Sequence, residues 1–193
     1  MTHIIEKDGV YICTTKKVLF SGINKTFHAN KQLRTKETYQ NGLKHGIWKE
    51  YHSNSQLQLI GFYVIGNQDG EWREYYSNSQ LHKKSNYKNG KPTGLWEEYW
   101  PNGPIRMTCN IKDGKYQKNL IRIYYDNGII QCKGQYKNNR EDGFWEIFHE
   151  NGQLKSCGNY KKGKKINIWK FYKANGALIE TKTFRIPIKI QEK

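Results

Sequence analysis

The 193-residue sequence predicts an all-β fold, in which tandem β-hairpins of about 24 residues form one elongated, twisted antiparallel sheet. Three observations carry that prediction. Trp48, Trp72, Trp96, Trp145 and Trp169 recur in one phase, and the missing beat falls on Ile121, one residue late. Each beat opens a shared phrase: an aromatic residue, then Tyr or Phe, then Asn, often Gly, then Leu or Ile, as in Trp96–Ile105 and Trp145–Leu154. A second phrase closes the unit with Tyr, Gly and the next Trp, as in Tyr39–Trp48 and Tyr87–Trp96.

Asn-Gly between runs that carry aromatics marks a hairpin, because both residues tolerate positive φ. Two such signals per unit leave two strands of about six residues each and no room for a helical period. Residues 1–23 are read as N-terminal capping strands, 24–182 as seven hairpin repeats, and 183–193 as a C-terminal edge strand and tail. The first repeat, Asn24–Leu33, keeps every mark except the tryptophan. Asn24 and Ile121 replace Trp, while Ser55 and Ser79 stand where Gly is expected. The tail Phe184–Ile190 alternates and carries Pro187, which suits a protected edge.

Composition agrees with a thin sheet covered by large rings. Hydrophobic residues make up 36% and mean hydropathy is −0.95, yet aromatics reach 14%, which argues against disorder. The four cysteines include no C-x-x-C pair, so structural zinc is not expected and they read as free thiols in small sites. Neither a signal peptide nor a span-length apolar run is present in the sequence, and a soluble, cytoplasmic chain is the expectation. The net charge of +16 favours acidic partners: a protein, an anionic lipid surface or a nucleic acid. Lysine supplies most of it, whereas a phosphate fork usually uses arginine.

The phrases resemble the MORN-repeat variant found in YwqK-family antitoxins. The resemblance rests on G-L-W-E-E-Y-W-P-N-G at 94–103, on residues 143–164 and on Y-Q-N-G-L-K-H-G-I-W-K-E-Y at 39–51, and runs from about Phe20 to Phe184. It implies the hairpin-repeat fold. It also implies an antitoxin or immunity protein that neutralises a cognate toxin by direct binding. Repeats of this type serve as scaffolds too, including at membrane surfaces.

Strand alternation sorts the repeat into columns. Trp48, Glu50 and His52 share one face; Ile47, Lys49 and Tyr51 share the other, which carries a tyrosine ladder flanked by lysines. With a two-residue Asn-Gly turn, Trp100 faces Ile105, Glu98 faces Met107 and Trp96 faces Cys109, and a bulged turn would shift that register by one. The recurring rings read first as packing, each burial contributing about 2–3 kcal/mol. His28, His52 and His149 share a column but stand about 9.6 Å or more apart, too far to share a metal. Glu50, Glu74 and Glu98 form an acidic column that becomes Ile123, Ile147 and Phe171. They read as partners for lysines or as a docking stripe, and at that spacing no two form a catalytic acid/base pair.

Neither a catalytic constellation nor a cofactor motif is present in the sequence. A non-catalytic binding protein is therefore expected, with a cognate protein toxin as the partner. Contacts are expected where the repeat breaks, at Trp100, Arg106, Met107, Tyr116, Gln117 and Lys118, and along Glu50, Glu74 and Glu98. The alternatives are a scaffold on anionic membranes and, behind it, a single-stranded nucleic-acid binder.

Overall fold

The computed structural model describes residues 4–7, 10–14, 18–112, 115–116, 120–138 and 140–185, with backbone alone at 115, 116 and 120. Its regular elements are all strands. They are β1 (Ile4–Lys7), β2 (Val10–Cys13), β3 (Val18–Leu19), β4 (Gly22–Phe27), β5 (Leu33–Gln40), β6 (Leu43–Tyr51), β7 (Leu57–Val64), β8 (Asn67–Tyr75) and β9 (Leu81–Lys88). There follow β10 (Lys91–Tyr99), β11 (Ile105–Lys112), β12 (Lys115–Tyr116), β13 (Leu120–Tyr124), β14 (Ile130–Lys137), β15 (Arg140–Phe148), β16 (Leu154–Lys161), β17 (Lys164–Tyr172) and β18 (Leu178–Phe184). The class is the expected one: all-β, antiparallel, hairpin after hairpin. The alternating tail beyond Arg185, with Pro187, lies outside the described residues.

Two compact units divide the chain, Met1–Gly103 and Pro104–Lys193. In the first, β4 to β10 pair in succession. A separate sheet of β1, β2 and β3 meets the β5–β6 turn, where Tyr11 N–H donates to the Gly42 carbonyl and Gly42 N–H to that of Phe20 (both 2.8 Å). In the second unit β11 pairs β13, and the ladder continues to β18, with β12 folded back on β11.

The repeating strands are eight and nine residues long, longer than the turn signals imply. The reason is local. Asn41-Gly42 and Asn89-Gly90 make two-residue turns with both φ values positive, as a type I′ hairpin requires. The following glycine, such as Gly46, does not end the strand; at φ 102° it forms a bulge inside β6, and pairing resumes at Trp48.

Register settles the expected columns. Trp48 opposes Gly61 and Glu50 opposes Leu59, on the offset read from the sequence. At the hairpin end it slips by one: Tyr51, not His52, opposes Leu57, because Gln58 is accommodated as a bulge. The loop spans five residues, with His52 N–H donating to the Gln56 carbonyl and Ser55 N–H to that of His52. Ser55 and Ser79 adopt φ 68°, the left-handed conformation that glycine supplies at Gly128 and Gly152.

Tryptophans pack on one face against a second tyrosine column that the sequence reading placed nowhere. Rings alternate as Trp48–Tyr63–Trp72–Tyr87–Trp96, with centroids 5.1–6.1 Å apart, and in the second unit as Tyr136–Trp145–Tyr160–Trp169. Edge-to-face packing at these distances adds to the area term. Across the strands the row reads Glu37, Trp48, Gly61, Trp72, Ser85, and in the second unit Ile121, Gly134, then Trp145, Gly158, Trp169. Where a glycine precedes the ring it is buried, at 2%, 4% and 0% exposure for Trp72, Trp145 and Trp169. Where Glu37 or Ser85 precedes it, Trp48 and Trp96 stay half-buried. A missing Cβ is what lets the indole reach the sheet.

Candidate interaction surface

The residues singled out in the sequence scatter over both units. Trp100 is half-buried and holds a turn in the first unit, its carbonyl accepting Gly103 N–H at 2.9 Å. Arg106 and Met107 are successive on β11, so they point to opposite faces; Met107 opposes Ile123. Tyr116 pairs through its backbone with Ile111, and Gln117 and Lys118 lie outside the described residues. Glu50 and Glu74 border a cleft of about 710 Å³ on the Trp face, with His52, Trp72, Tyr76 and His82. Glu74 holds Lys83 at 3.2 Å, and Lys83 also opposes Glu98 and sits 4.6 Å from the Trp96 ring.

Much of the polar chemistry along this face and its turns serves the next repeat. The ring of His28 bonds the Tyr51 carbonyl (2.8 Å), His52 that of Tyr75 (2.9 Å) and His149 that of Tyr172 (3.0 Å). A carbonyl only accepts, so each Nε2 carries a proton. Tyr76 and Tyr125 reach the carbonyls of Tyr99 and Phe148 with their hydroxyls, both at 2.9 Å. Asparagines form a parallel line: Asn54 Nδ2 donates to the Ser77 carbonyl (2.9 Å) while its Oδ1 accepts Gln56 N–H (3.1 Å). Asn30, Asn78, Asn127 and Asn151 repeat the link. The histidine column is thus a latch between hairpins, and among the described residues no group of three or more His, Cys, Asp or Glu is placed to hold a metal. None of the four cysteines is in a disulfide, and Cys13 and Cys109 are buried.

Electrostatics on the Trp face reflect packing. Burial pushes the phenols of Tyr63 and Tyr160 above their ordinary range, and Tyr39 far above it, reinforced there by the Glu37 carboxylate it donates to. Burial likewise raises the Cys132 thiol, and lowers Lys165, which lies 4.2 Å from the Trp169 ring.

The reverse face is different. One residue before the Trp stand Ile47 and Leu95 in the first unit and Phe144 and Ile168 in the second, all exposed, and Phe62 opposes Ile47. Among these apolar groups stand Lys36, Lys49, Arg73 and Lys84 in the first unit and Lys133 and Lys170 in the second. Glu71 lies among them: burial tends to raise its carboxyl, but hydrogen bonds from Lys84 and Arg73 prevail and hold it below the usual range. The exposed apolar column was readable as Ile47, Leu95, Phe144 and Ile168 immediately before tryptophan, a signal the sequence reading passed over.

The model of the MORN repeat variant matches residues 21–41, 44–64, 68–89, 119–138 and 141–162, more than half of the chain. The chain belongs to the MORN repeat variant family. Each match in this MORN-variant chain covers one hairpin: β4–β5, β6–β7, β8–β9, β13–β14 and β15–β16. The β17–β18 hairpin lies beyond the matches yet closes identically, with Lys173 N–H on the Ala177 carbonyl at 2.8 Å. No curated protein matches the chain.

Proposed function

We propose that this chain is a non-catalytic protein-binding scaffold that docks its partner on the reverse face, and that it acts as an antitoxin or immunity protein. One observation carries the binding reading. On the Trp face much of the polar chemistry is tied into repeat-to-repeat bonds, while the reverse face leaves Ile47 and Leu95 exposed in the first unit and, in the second unit on its own reverse face, Phe144 and Ile168, at 44–54% exposure. Rows of exposed apolar side chains among charges are the composition of a protein interface. A nucleic acid would set phosphates against these apolar groups and gain nothing from them.

The antitoxin assignment rests on the resemblance of the repeat phrases, and a broad sheet face suits occlusion of a toxin's active cleft. Arg106 stays in the proposal as a further contact; Glu50, Glu74, Glu98 and Met107 lie on the Trp face and Trp100 holds a turn, so they stand outside the docking face. Co-expression with the product of the adjacent gene is the test. Growth rescue by the wild type that fails with Ile47→Asp/Leu95→Asp supports the reading. A neighbour that is harmless, or toxicity that persists beside the wild type, removes the antitoxin assignment.

A further inference from the structure

We propose that the reverse face of β4–β7 receives an acidic amphipathic helix of the partner protein, its carboxylates on Lys25, Lys36 and Lys49 and its apolar side chains on Ile23, Ile47 and Phe62. This inference rests on the protein-binding reading above and names the chemistry of the partner.

The first observation is a row of like charges. Lys25 opposes Lys36, and Lys36 opposes Lys49, on three adjacent strands. Like charges directly opposite one another destabilise a sheet. Farther along the same row Arg73 and Lys84 are neutralised by Glu71, and Lys84 also approaches Glu97. Among the described residues no carboxylate pairs with Lys25, Lys36 or Lys49. The fold tolerates three facing cations here and compensates them elsewhere.

Beside the lysines runs an apolar row. Ile23 opposes Thr38, and Ile47 opposes Phe62, while Thr38 donates to the Ile47 carbonyl at 3.2 Å. Ile23, Lys36, Thr38, Ile47, Lys49 and Phe62 border a cleft of about 400 Å³. The next turn supplies a third observation. Ile65 takes φ 46° at 64% exposure, where Asn41 and Asn89 occupy the equivalent place. A β-branched residue in the left-handed region is strained, and its side chain faces water in the β7–β8 turn, three residues beyond Phe62. Strain and exposure together mark a position kept for something other than folding.

Shape and spacing select the occupant. Adjacent strands set the lysines about 4.8 Å apart. Carboxylates three or four residues apart along a helix ridge recur every ~5 Å, whereas same-side residues of an extended segment recur every ~6.8 Å. The apolar groups border a concavity, which takes in side chains; a wedge for acyl chains would have to protrude.

A synthetic helical peptide of about 18 residues, with glutamates on one ridge and leucines on the next, is the probe. Fluorescence anisotropy at low salt should show binding that Lys36→Glu weakens about tenfold or more, and Ile65→Asn measurably. Both variants should unfold at higher temperature, Lys36→Glu by about 2–4 °C, because it converts a repulsive row into alternating pairs. A stability gain with a binding loss is what a merely structural role cannot produce. Absence of peptide binding, or binding indifferent to Lys36→Glu, overturns the proposal. Equal binding and equal loss with phosphatidylserine vesicles or a single-stranded oligonucleotide also overturns it, since the row would then select anions in general. In the co-expression assay the two readings separate. Full neutralisation by Lys36→Glu retains the antitoxin and removes this site; Lys36-dependent peptide binding without neutralisation retains the site and removes the antitoxin.

Discussion

A Cβ placed on Gly61 would lie 2.1 Å from Cδ2 of Trp72, far inside van der Waals contact with the indole ring. Gly134 stands in the same relation to Trp145, at 2.1 Å, and Gly158 to Trp169, at 2.5 Å. The three buried tryptophans are those that lie on a glycine of the preceding strand. Gly61→Ala must therefore lift Trp72 toward the half-buried pose of Trp96, which lies beside Ser85. A loss of about 2–3 kcal/mol is expected from this overpacking, measured by urea unfolding. A change below about 0.5 kcal/mol would mean the ring is free to slide and does not hold the sheet.

The His52 latch predicts a tolerance that depends on reach, not on residue class. Tyr76 makes with its hydroxyl the bond that His52 makes with Nε2, each to a carbonyl of the following hairpin. His52→Tyr should leave stability within about 0.5 kcal/mol. His52→Phe keeps the ring and loses the donor, leaving the Tyr75 carbonyl short of a partner at about 1 kcal/mol. Equal effects from the two substitutions would show that the ring, and not the bond, matters.

Glu71 gives the reverse face an acid-sensitive element. Its carboxyl is held low by Lys84 and Arg73. A depressed carboxylate contributes stability that is present above its unfolded pKa and is lost as pH falls through the folded value. Glu71→Gln should cost about 0.5 kcal/mol at pH 7, the scale of a partly exposed pair, and progressively less as pH falls below the ordinary carboxylate range. Chemical denaturation across the acid range tests this, and a cost that does not change with pH would assign it to packing.

The tandem hairpins, the Trp face and the Trp48–Gly61 offset were legible because period and alternation are one-dimensional properties of a sequence. The slip at Tyr51–Leu57 was foreseen only as what a bulged turn would do, and whether the turn bulges was not legible, since a bulge adds a residue to the ladder without altering composition. The glycine beneath each buried indole was printed in Gly61-Phe62-Tyr63 and Gly158-Asn159-Tyr160, two residues before a tyrosine, but its meaning needs the neighbouring strand. Lys25, Lys36 and Lys49 share a row only after a turn and a bulge have been counted between them, so no sequence spacing reveals it.

The repeat that lacks tryptophan tests the same packing rule from the other side. Met107 opposes Ile123 and Thr108 opposes Arg122, so the continuing ladder sets Cys109 opposite Ile121. Both are buried, at 3% and 4% exposure. Cys109 takes the place that glycine takes under the buried indoles, and Ile121 the place of tryptophan: a larger side chain below, a smaller one above. Ile121→Trp alone should overpack this site, costing about 1–3 kcal/mol. Cys109→Gly alone should open a void beneath Ile121 and cost a similar amount. Together they recreate the Gly61–Trp72 arrangement, and the double variant should fall within about 1 kcal/mol of the wild type. The coupling energy from a double-mutant cycle, expected at 1 kcal/mol or more in favour of the pair, is the measurement. Simple additivity would show that the ring sits on glycine by coincidence of the repeat.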